Sequence, residues 1–487
     1  MDAKQIRGLG EHLMDFLAEV DDCFGRSEPR EHLRTYVGGQ LSDLPRKSIE
    51  PIALARGTPP RTLQRFFESV QWDELRLRDR LQWIVTRDHA DPQAIGTIDE
   101  SGHPKKGRHT AGVRRQWCGN TGKIDNCVVS VHLGYVTGDF QCLLDSDVYL
   151  PKEWAHDPIR RAEAYVPDEV VFRKKADIAL AQVQRALANG IRVSAWTFDE
   201  WYGRDGTFLD GLEALGQNYV AEVPSTFTGW LHEPTVLQRP TPQEMRKRGR
   251  KRRFPRLARK ALPACAVRNL GTYSRGFTQQ KWQRFHIKDG EKGPMVWEVK
   301  HATFYRKRPN GLPGPAGYLI MARDVFYPDK VKFFVSNMRP GSGDVSLTRL
   351  LRVAFSRWSI ERCFQQSKDE LGMDHFEVRG WRSIHRHLYI TQLSHLFCAR
   401  VHQSLREKND GERILDGRAG PQRRLRLGRS PELAAVRSEP DLSGNSGTDC
   451  LPPTPKPPSP RVAYENDTPK PPRHRHPIRS ITLLRTG

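Results

Sequence analysis

The spacing of apolar residues predicts a helical region over residues 1–90. Residues 9–24 place apolar side chains at helical spacing: Leu13, Phe16, Leu17, Val20 and Phe24. A later helix is predicted with Thr58 as its N-cap and Pro59 at its first position. Short helices joined by polar turns are typical of a helix-turn-helix and equally of a plain helical bundle.

From about residue 93 the apolar pattern becomes that of strands. AIGTID predicts a short strand ending at Asp99, and KIDNCVVSVHLGYV and DFQCLLDSDVYL predict two longer strands joined by the turn 137–139. An amphipathic helix ending at Gly190, a strand ending at Asp199, another helix and the strand NYVAEVP follow. This order predicts an α/β fold in which helices pack on a mixed sheet.

Residues 225–340 interrupt this alternation. The segment 246–260 contains ten Lys or Arg and no acid, and the β-like pieces MVWEVKHATFYRK, GYLIMARDVFY and VKFFVSN come after it. We therefore predict a β-rich insertion with a cationic loop. Residues 347–372 then predict one long helix closed by Gly372, and residues 384–405 predict another.

Composition narrows the class of partner. The chain has 79 Lys and Arg against 57 Asp and Glu, a formal charge of +22, and its basic residues are clustered in 246–260. Clustered positive charge indicates a polyphosphate partner, although a merely solvated basic surface is the alternative. A mean hydropathy of −0.66 without a long apolar run excludes an integral membrane protein. The eight cysteines form no C-x-x-C pair, which excludes the usual zinc-finger and redox motifs.

Three acids occupy positions suited to catalysis. Asp99 and Asp199 end predicted strands, and Glu361 lies on the predicted long helix. If the strands are neighbours and the helix packs beside them, the three carboxylates converge. Carboxylate oxygens suit Mg²⁺, and two ions about 4 Å apart can hold the attacking and leaving oxygens of a phosphodiester. Taken singly, each acid could equally be a cap or a solvated turn residue.

Cations accompany these acids. Lys105 and Lys106 follow Asp99, while Arg357 and Lys368 lie four residues before and seven after Glu361, on nearly one helix face. These side chains could contact phosphates, or they could form a salt-bridged surface stripe.

Several segments together resemble the DDE-type insertion-sequence transposases, most closely the 701 family of insertion sequences. The segments are RTYVGGQLSDLPRKSIEPIA (34–53), IDESGHPKKGRHTAGVRRQWCGNTGKIDNC (98–127), YLPKEWAHDPIRR (149–161), FDEWYG (198–203), FFVSN (333–337) and RWSIERCFQQSKDELGMDHFEVRGWRSIHRH (357–387). The resemblance runs from about residue 12 to 405, and its last segment is the most specific.

The resemblance implies a ribonuclease-H-like core interrupted by a β-rich insertion before the last catalytic acid. It also implies Mg²⁺-dependent cutting at terminal inverted repeats, with Mn²⁺ as a substitute ion, and joining of the freed 3′ ends to target DNA. Asp99, Asp199 and Glu361 fall on the metal-binding triad, with Asp99 preferred to the adjacent Glu100. Related transposases carry Tyr-x2-Arg-x3-Glu-x6-Lys here, and this chain keeps all but the Tyr, which is Ala354, so no hairpin intermediate is predicted.

The expected organisation has five segments: a helical DNA-binding region (1–90), the first part of the core (91–224), the insertion (225–340), the second part of the core (341–405) and a basic, Pro-rich, disordered tail (406–487). Expected phosphate contacts are Lys105, Lys106, Arg357, Lys368, Arg246, Lys247, Arg248, Arg250, Lys251, Arg252 and Arg253. Trp297 could stack on an extruded base or be a core residue. His385 and His387 are expected in phosphate contact or core packing.

The resulting hypothesis is a prokaryotic, cytoplasmic, nucleoid-associated transposase. Its partner would be double-stranded DNA, both element ends and target, with no membrane, and it would act as a dimer or higher oligomer in a synaptic complex. Two alternatives remain open: a ribonuclease-H-like nuclease that does not join strands, and a catalytically inactive DNA-binding protein.

Overall fold

The computed structural model describes residues 3–238, 243, 254–290, 293–338 and 345–415. These residues belong to one unit, Met1–Pro440. The expected phosphate contacts at 246–253 lie outside the described residues. Of the tail predicted to be disordered over 406–487, residues 406–415 are instead the end of a helix, and the residues from 416 lie outside the described ones. None of the helices in the described ranges combines the length and apolarity that crossing a bilayer requires.

The N-terminal region is helical, as predicted. Its elements are α1 (Ala3–Ala18), a 3-10 turn (Asp21–Cys23), α2 (Ser27–Gln40), α3 (Ile49–Ala55), α4 (Pro60–Glu68) and α5 (Glu74–Asp88). The predicted N-cap Thr58 is wrong by one residue, because Pro59 is extended and α4 begins at Pro60. The apolar residues Leu63, Phe66 and Phe67 of α4 are buried.

A large mixed sheet forms the centre of the fold. Its strands are β1 (Ile95–Pro104), β2 (Arg114–Cys118), β3 (Lys123–Thr137), β4 (Phe140–Val148), β5 (Ala195–Phe198), β6 (Tyr219–Val223), β7 (Thr228–Trp230), β10 (Cys265–Ala266), β11 (Gln283–Gly290), β12 (Gly293–Lys307), β13 (Pro313–Asp324) and β14 (Val331–Ser336). Two short strands, β8 (Val236–Leu237) and β9 (Arg256–Leu257), pair separately. The predicted hairpin at residues 137–139 is confirmed, with Gly138 in the left-handed region at φ 53°.

The strand order places the N-terminal half of the sheet in the sequence β4-β3-β1-β5-β6. β1, β5 and β6 are parallel to one another, whereas β3 is antiparallel to both β1 and β4. β6 then pairs with β14, and the sheet continues through β13, β12, β7 and β10. The strands of the predicted insertion therefore extend the same sheet, and the proposed domain boundaries stay a prediction.

The remaining helices are α6 (Lys152–Ala155), α7 (Pro158–Glu163), α8 (Lys175–Ala188), α9 (Glu200–Gly203), α10 (Gly206–Ala214), α11 (Val267–Tyr273), α12 (Arg275–Thr278), α13 (Leu347–Ser356), α14 (Trp358–Asp369) and α15 (Trp381–Leu415). The prediction of one long helix over 347–372 is wrong, because the chain forms α13 and α14 with Arg357 at their junction. The Ser356 hydroxyl donates to the Arg352 carbonyl just before the break.

α15 is the central helix of the core. Every residue from 383 to 397 is buried, and the helix packs on β4 and on α2, α4 and α5. The fully buried Arg386 donates to the carbonyl oxygens of Phe66, Phe67 and Trp72 and pairs with Glu74. A buried guanidinium requires such partners, so the N-terminal helices and the core are held together by polar contacts as well as apolar ones.

Several histidines are buried in the sheet and in α15. The imidazole of His132 lies between the hydroxyls of Ser130 and Ser146, and the Ser130 hydroxyl also contacts His103 at 2.7 Å. Burial lowers the pKa of His132 and His387 to about 3 and that of His395 to about 4, and it lowers the pKa of His103 as well. These four side chains are therefore neutral in the folded protein at neutral pH.

We predict acid-sensitive stability from these histidines. In the unfolded chain they take up protons as the pH falls through about 6.5, while in the folded protein His132, His387 and His395 stay neutral until near pH 3–4. Each should lower the free energy of unfolding by about 1 kcal/mol between pH 7 and about pH 5.5. Urea denaturation at the two pH values measures this loss. His395→Gln should reduce the loss, whereas substituting the exposed His12 by Gln should not; equal losses in both variants would contradict the assignment.

Candidate active site

Asp99 lies inside a strand and not at its end. The sequence predicted a strand ending at Asp99, but β1 continues to Pro104 because Glu100–Pro104 stay paired with β3, where Asp99 itself lies opposite His132. Pairing with β5 stops one residue before Asp99, at Ile98. Asp99 is therefore held by a neighbour on one side and faces an open edge on the other.

The register of three parallel strands places acids at one level. Ile98 pairs with Phe198, and Phe198 pairs with Ala221, so the following residues, Asp99, Asp199 and Glu222, are neighbours across the sheet. In-register residues of adjacent strands point to the same face. The predicted convergence of Asp99 and Asp199 thus follows from the pairing, and a third acid joins them.

Asp199 follows β5 directly, as predicted, and caps the next helix. One carboxylate oxygen accepts from the backbone N–H groups of Trp201 and Tyr202 at 3.0 and 3.2 Å. This leaves the second oxygen available. The helix it caps, α9, ends at Gly203, where an added Cβ would lie 1.9 Å from the carbonyl oxygen of Glu222. The absent side chain lets α9 approach β6.

Glu361 reaches the sheet through Arg357. The Arg357 guanidinium lies 2.8 Å from a Glu361 oxygen and 3.2 Å from an Asp99 oxygen, and its Nε is 4.0 Å from Glu222. α14 therefore presents the predicted third acid to the same edge as Asp99. Arg357 and Glu361 are close together, as predicted, but Arg357 lies at the junction before α14 and its guanidinium pairs with the carboxylates.

The electrostatics of this edge are unusual. Burial, and then the neighbouring Asp199, raises the pKa of Asp99 to about 8 although Arg357 opposes the shift. Burial also raises the pKa of Asp199. Burial disfavours the charged guanidinium, but the adjacent carboxylates outweigh it and raise the pKa of Arg357. Burial thus keeps the Asp99 carboxyl largely protonated at neutral pH, and a further cation beside it would favour the ionised form.

Glu100 is held away from this cluster. Its two oxygens contact the Lys175 ammonium at 2.6 Å and the Tyr202 hydroxyl at 3.2 Å. The side chain adjacent to Asp99 is thus already satisfied, which supports the choice of Asp99 over Glu100.

The donor chemistry of the edge fits a divalent cation. The available side chains are carboxylates, the hard oxygen ligands that Mg²⁺ and Mn²⁺ prefer. In the described ranges, however, no three His, Cys, Asp or Glu side chains are already gathered round a metal position. Instead, Arg357 bridges two of the three predicted ligands.

The other cations predicted to contact phosphate lie in three different environments. The ammonium of Lys105 donates to the carbonyls of Asp374 and Phe376 at 3.0 and 2.7 Å, and burial lowers its pKa to about 7. This placement favours a structural role for Lys105 over the expected phosphate contact. Lys106 is exposed, and Lys368 is half-buried near the Gly102 carbonyl, with its pKa lowered by burial.

The aromatic and histidine candidates are core residues. Trp297 is 6% exposed and packs on Phe355, so the core alternative, not base stacking, describes its position. His385 contacts the Trp381 carbonyl and Asp147, and His387 contacts Tyr36. Both histidines therefore belong to core packing rather than to phosphate contact.

Sequence reasoning missed Glu222 and its partner Lys332. The Lys332 ammonium lies 2.7 Å from a Glu222 oxygen, from the strand next to β6. A signal was present, because Glu222 interrupts the apolar strand NYVAEVP near its end, as Asp199 follows AWTF. Glu222 enlarges the acidic cluster, and Lys332 partly balances it.

Comparison with known proteins identifies the family to which the chain belongs. Residues 19–294 match the family model of the DDE superfamily endonucleases, a stretch that includes β1 with Asp99 and the end of β5 with Asp199. The chain belongs to this family. The match confirms the resemblance to DDE-type transposases drawn from the sequence, and it ends before α14 and Glu361.

The chain is also similar to individual proteins. The chain is 27% identical over 350 residues to the probable transposase for insertion sequence element IS701 of Microchaete diplosiphon, covering 71% of this chain and 76% of that one. It also has a likeness to a cryo-EM structure of a piggyBac transposase synaptic complex with hairpin DNA. That likeness has a TM-score of 0.31 and 10% identity, over 79% of this chain and 75% of the other, and it is too weak for an argument about this DDE endonuclease.

We predict that Gly203→Ala disturbs the site through the backbone. Its Cβ would overlap the Glu222 carbonyl, which must move for α9 to stay capped by Asp199. The free energy of unfolding should fall by about 1–3 kcal/mol, measured by chemical denaturation. Gly25→Ala is the matched control, because its Cβ would meet nothing within 4 Å. Equal stability of the two variants would show that α9 does not depend on this approach.

Proposed function

We propose that this DDE endonuclease is a DNA transposase that cuts at the terminal inverted repeats of an insertion sequence and joins the freed 3′ ends to target DNA. The observation that carries the proposal is the meeting of Asp99, Asp199 and the Arg357–Glu361 pair at one sheet edge. The match to the IS701 transposase over most of both chains supports the same activity.

The proposal includes a ribonuclease-H-like core. Its support is the order β4-β3-β1-β5-β6, with β3 antiparallel to β1 and with β1, β5 and β6 parallel. α8 crosses between β4 and β5, and α14 packs against β1, β3 and β4. Such a core presents carboxylates from two central strands and one helix to a common edge.

Asp99, Asp199 and Glu361 are proposed to hold Mg²⁺, with Mn²⁺ as a substitute. When bound, the ions would lower the pKa of the attacking water or 3′-hydroxyl and neutralise charge on the leaving oxygen. Because burial and then the neighbouring Asp199 raise the pKa of Asp99, binding of a cation there would be accompanied by loss of the proton from its carboxyl. Backbone N–H groups at the start of α9 orient Asp199 by holding one of its oxygens.

Arg357 is proposed to change partners during the reaction. In the structure it neutralises Asp99 and Glu361, the residues that would become ligands. Glu222, 4.0 Å from its Nε, is the carboxylate nearest to the guanidinium apart from those two. Arg357 released from the ligands can stay near Glu222 and contact a DNA phosphate, a contact for which its planar guanidinium is suited.

We predict that Asp99→Asn, Asp199→Asn and Glu361→Gln each reduce DNA cleavage by about a hundredfold or more, because each removes a charged ligand. Binding to the same DNA, measured without divalent ions, should stay within a few-fold of the unaltered protein. Glu200→Gln is the matched control, because Glu200 is exposed and adjacent to Asp199. Normal cleavage by any of the three variants would remove that residue from the site.

A second experiment separates joining from cutting. Duplexes with pre-cut 3′-hydroxyl ends, taken from the two ends of the genomic copy that encodes this chain, are incubated with a supercoiled target plasmid and Mg²⁺. We expect covalent joining of the 3′ ends to the plasmid. Cleavage of uncut ends without joining would support the nuclease alternative, and DNA binding with neither reaction would support the inactive binding protein.

A further inference from the structure

The ribbon formed by β2 and the start of β3, which we call the β2–β3 ribbon (residues 114–127), exposes an apolar pair. Trp117 pairs with Ile124 across the two strands, and their exposures are 62% and 61%. Two large apolar side chains exposed side by side are unfavourably hydrated, and burial against a partner would stabilise them. The core does not cover them, because β1 stops pairing with β3 at Cys127, where β2 begins to pair.

Exposed cations lie on both faces of the ribbon near this pair. Arg115, two residues before Trp117, shares its face, whereas Lys123, which pairs with Cys118, is on the other face. Lys106 and Arg108 are exposed on the neighbouring loop. The loop is fixed to the ribbon, because the Asn126 side chain donates to the carbonyls of Lys105 and Gly107 at 2.7 and 2.8 Å.

Acids offset little of this charge. Arg114 pairs with Glu153 at 3.1 Å, and the sole acid within 114–126, Asp125, accepts from the backbone N–H of Asn126. In the described part of the chain, no carboxylate forms an ion pair with Arg115, Lys123, Lys106 or Arg108. The surface therefore complements a polyanion.

The ribbon is held firmly. Cys118 packs over Gly102 of β1, where an added Cβ would lie 2.8 Å from the Cys118 sulfur. The Gln116 side chain donates to the Cys127 carbonyl at 3.1 Å, and Asn120 contacts Asp374 at 3.4 Å. A fixed ribbon binds with little loss of conformational entropy, in contrast to a loop that must be ordered.

We propose that the β2–β3 ribbon is a duplex-DNA-binding element that inserts Trp117 and Ile124 into a groove while Arg115, Lys123 and Lys106 contact the flanking phosphates. The inference rests on the proposed function for DNA as the partner. A two-stranded ribbon matches the width of the major groove, where apolar side chains can contact the methyl groups of thymine bases.

The strand register also limits the distance between the ribbon and Asp99. Asp99 lies opposite His132 and Trp117 opposite Ile124, eight residues apart along β3. At about 3.3 Å per residue this is a path of about 26 Å, an upper limit on the separation along the strand. With 3.4 Å per base pair, Trp117 meets bases within about eight base pairs of the phosphate being cut.

The test measures binding of the full chain in EDTA, so that cleavage does not contribute. The probe is a fluorescein-labelled duplex of about 30 base pairs, three helical turns, titrated by anisotropy over a series of KCl concentrations. Trp117→Ala should weaken binding by about tenfold without changing the salt slope, because the lost contact is not ionic. Trp117→Phe should restore most of the affinity.

Substitution of the cations should instead change the salt dependence of DNA binding. Arg115→Ala combined with Lys123→Ala should reduce the slope of log K against log salt by about two, near 0.9 for each lost phosphate contact. Phe326→Ala is the matched control, since Phe326 is 72% exposed but lies between Asp324 and Asp329, where DNA is not expected. Its affinity and salt slope should equal those of the unaltered protein.

Each outcome decides the proposal. Unaltered DNA affinity of Trp117→Ala, or an equal loss in Phe326→Ala, overturns it. If Trp117→Ala changes the molecular mass measured by light scattering but leaves the DNA affinity unaltered, the ribbon is a contact between two copies of the chain, and the proposal is likewise overturned. If the unaltered protein binds no duplex, the proposed function itself fails. If the unaltered protein binds duplex DNA and the ribbon variants bind it with the same affinity and salt slope as Phe326→Ala, the proposal for the ribbon fails and the proposed function stands.

Discussion

In-register pairing of β1, β5 and β6 is the constraint on which the candidate active site depends. It sets Asp99, Asp199 and Glu222 side by side where β5 and β6 end, and α14 adds Glu361. Carboxylates gathered on a partly buried surface repel one another, and two cations offset part of this repulsion: Arg357 beside Asp99 and Glu361, and Lys332 beside Glu222. A divalent ion bound at this edge would favour the ionised form of the remaining carboxyl groups.

The second determinant of the fold is α15. A helix that is buried on all sides over fifteen residues is expected to be apolar, yet this one contains Arg386, His387, Gln392 and His395. Each meets a specific acceptor or donor, such as the carbonyls that precede α5 or the hydroxyl of Ser146. Buried polar contacts of this kind fix the orientation of a helix, because a rotation would leave a charged or polar group unsatisfied.

Much of the fold could be predicted from the sequence, because apolar periodicity reports burial directly. The helical N-terminal region, the 137–139 hairpin and the strand before Asp199 each show a clear period and a turn signal. β1 beyond Asp99 could not be predicted, since ESGHP is polar and is ordered by pairing with β3. The break at Arg357 has no Gly or Pro to mark it. Glu222 escaped notice because its importance arises from strand register, a property of pairing between distant segments.

The contacts of Arg386 have a consequence for how such an enzyme could diversify. The chain from Phe66 to Glu74 supplies the hydrogen-bond acceptors for the Arg386 guanidinium in the middle of the core. Exchange of the N-terminal helices as a unit would therefore leave that buried charge without partners. Divergence within this family would then proceed by substitution on outward surfaces, not by exchange of whole modules.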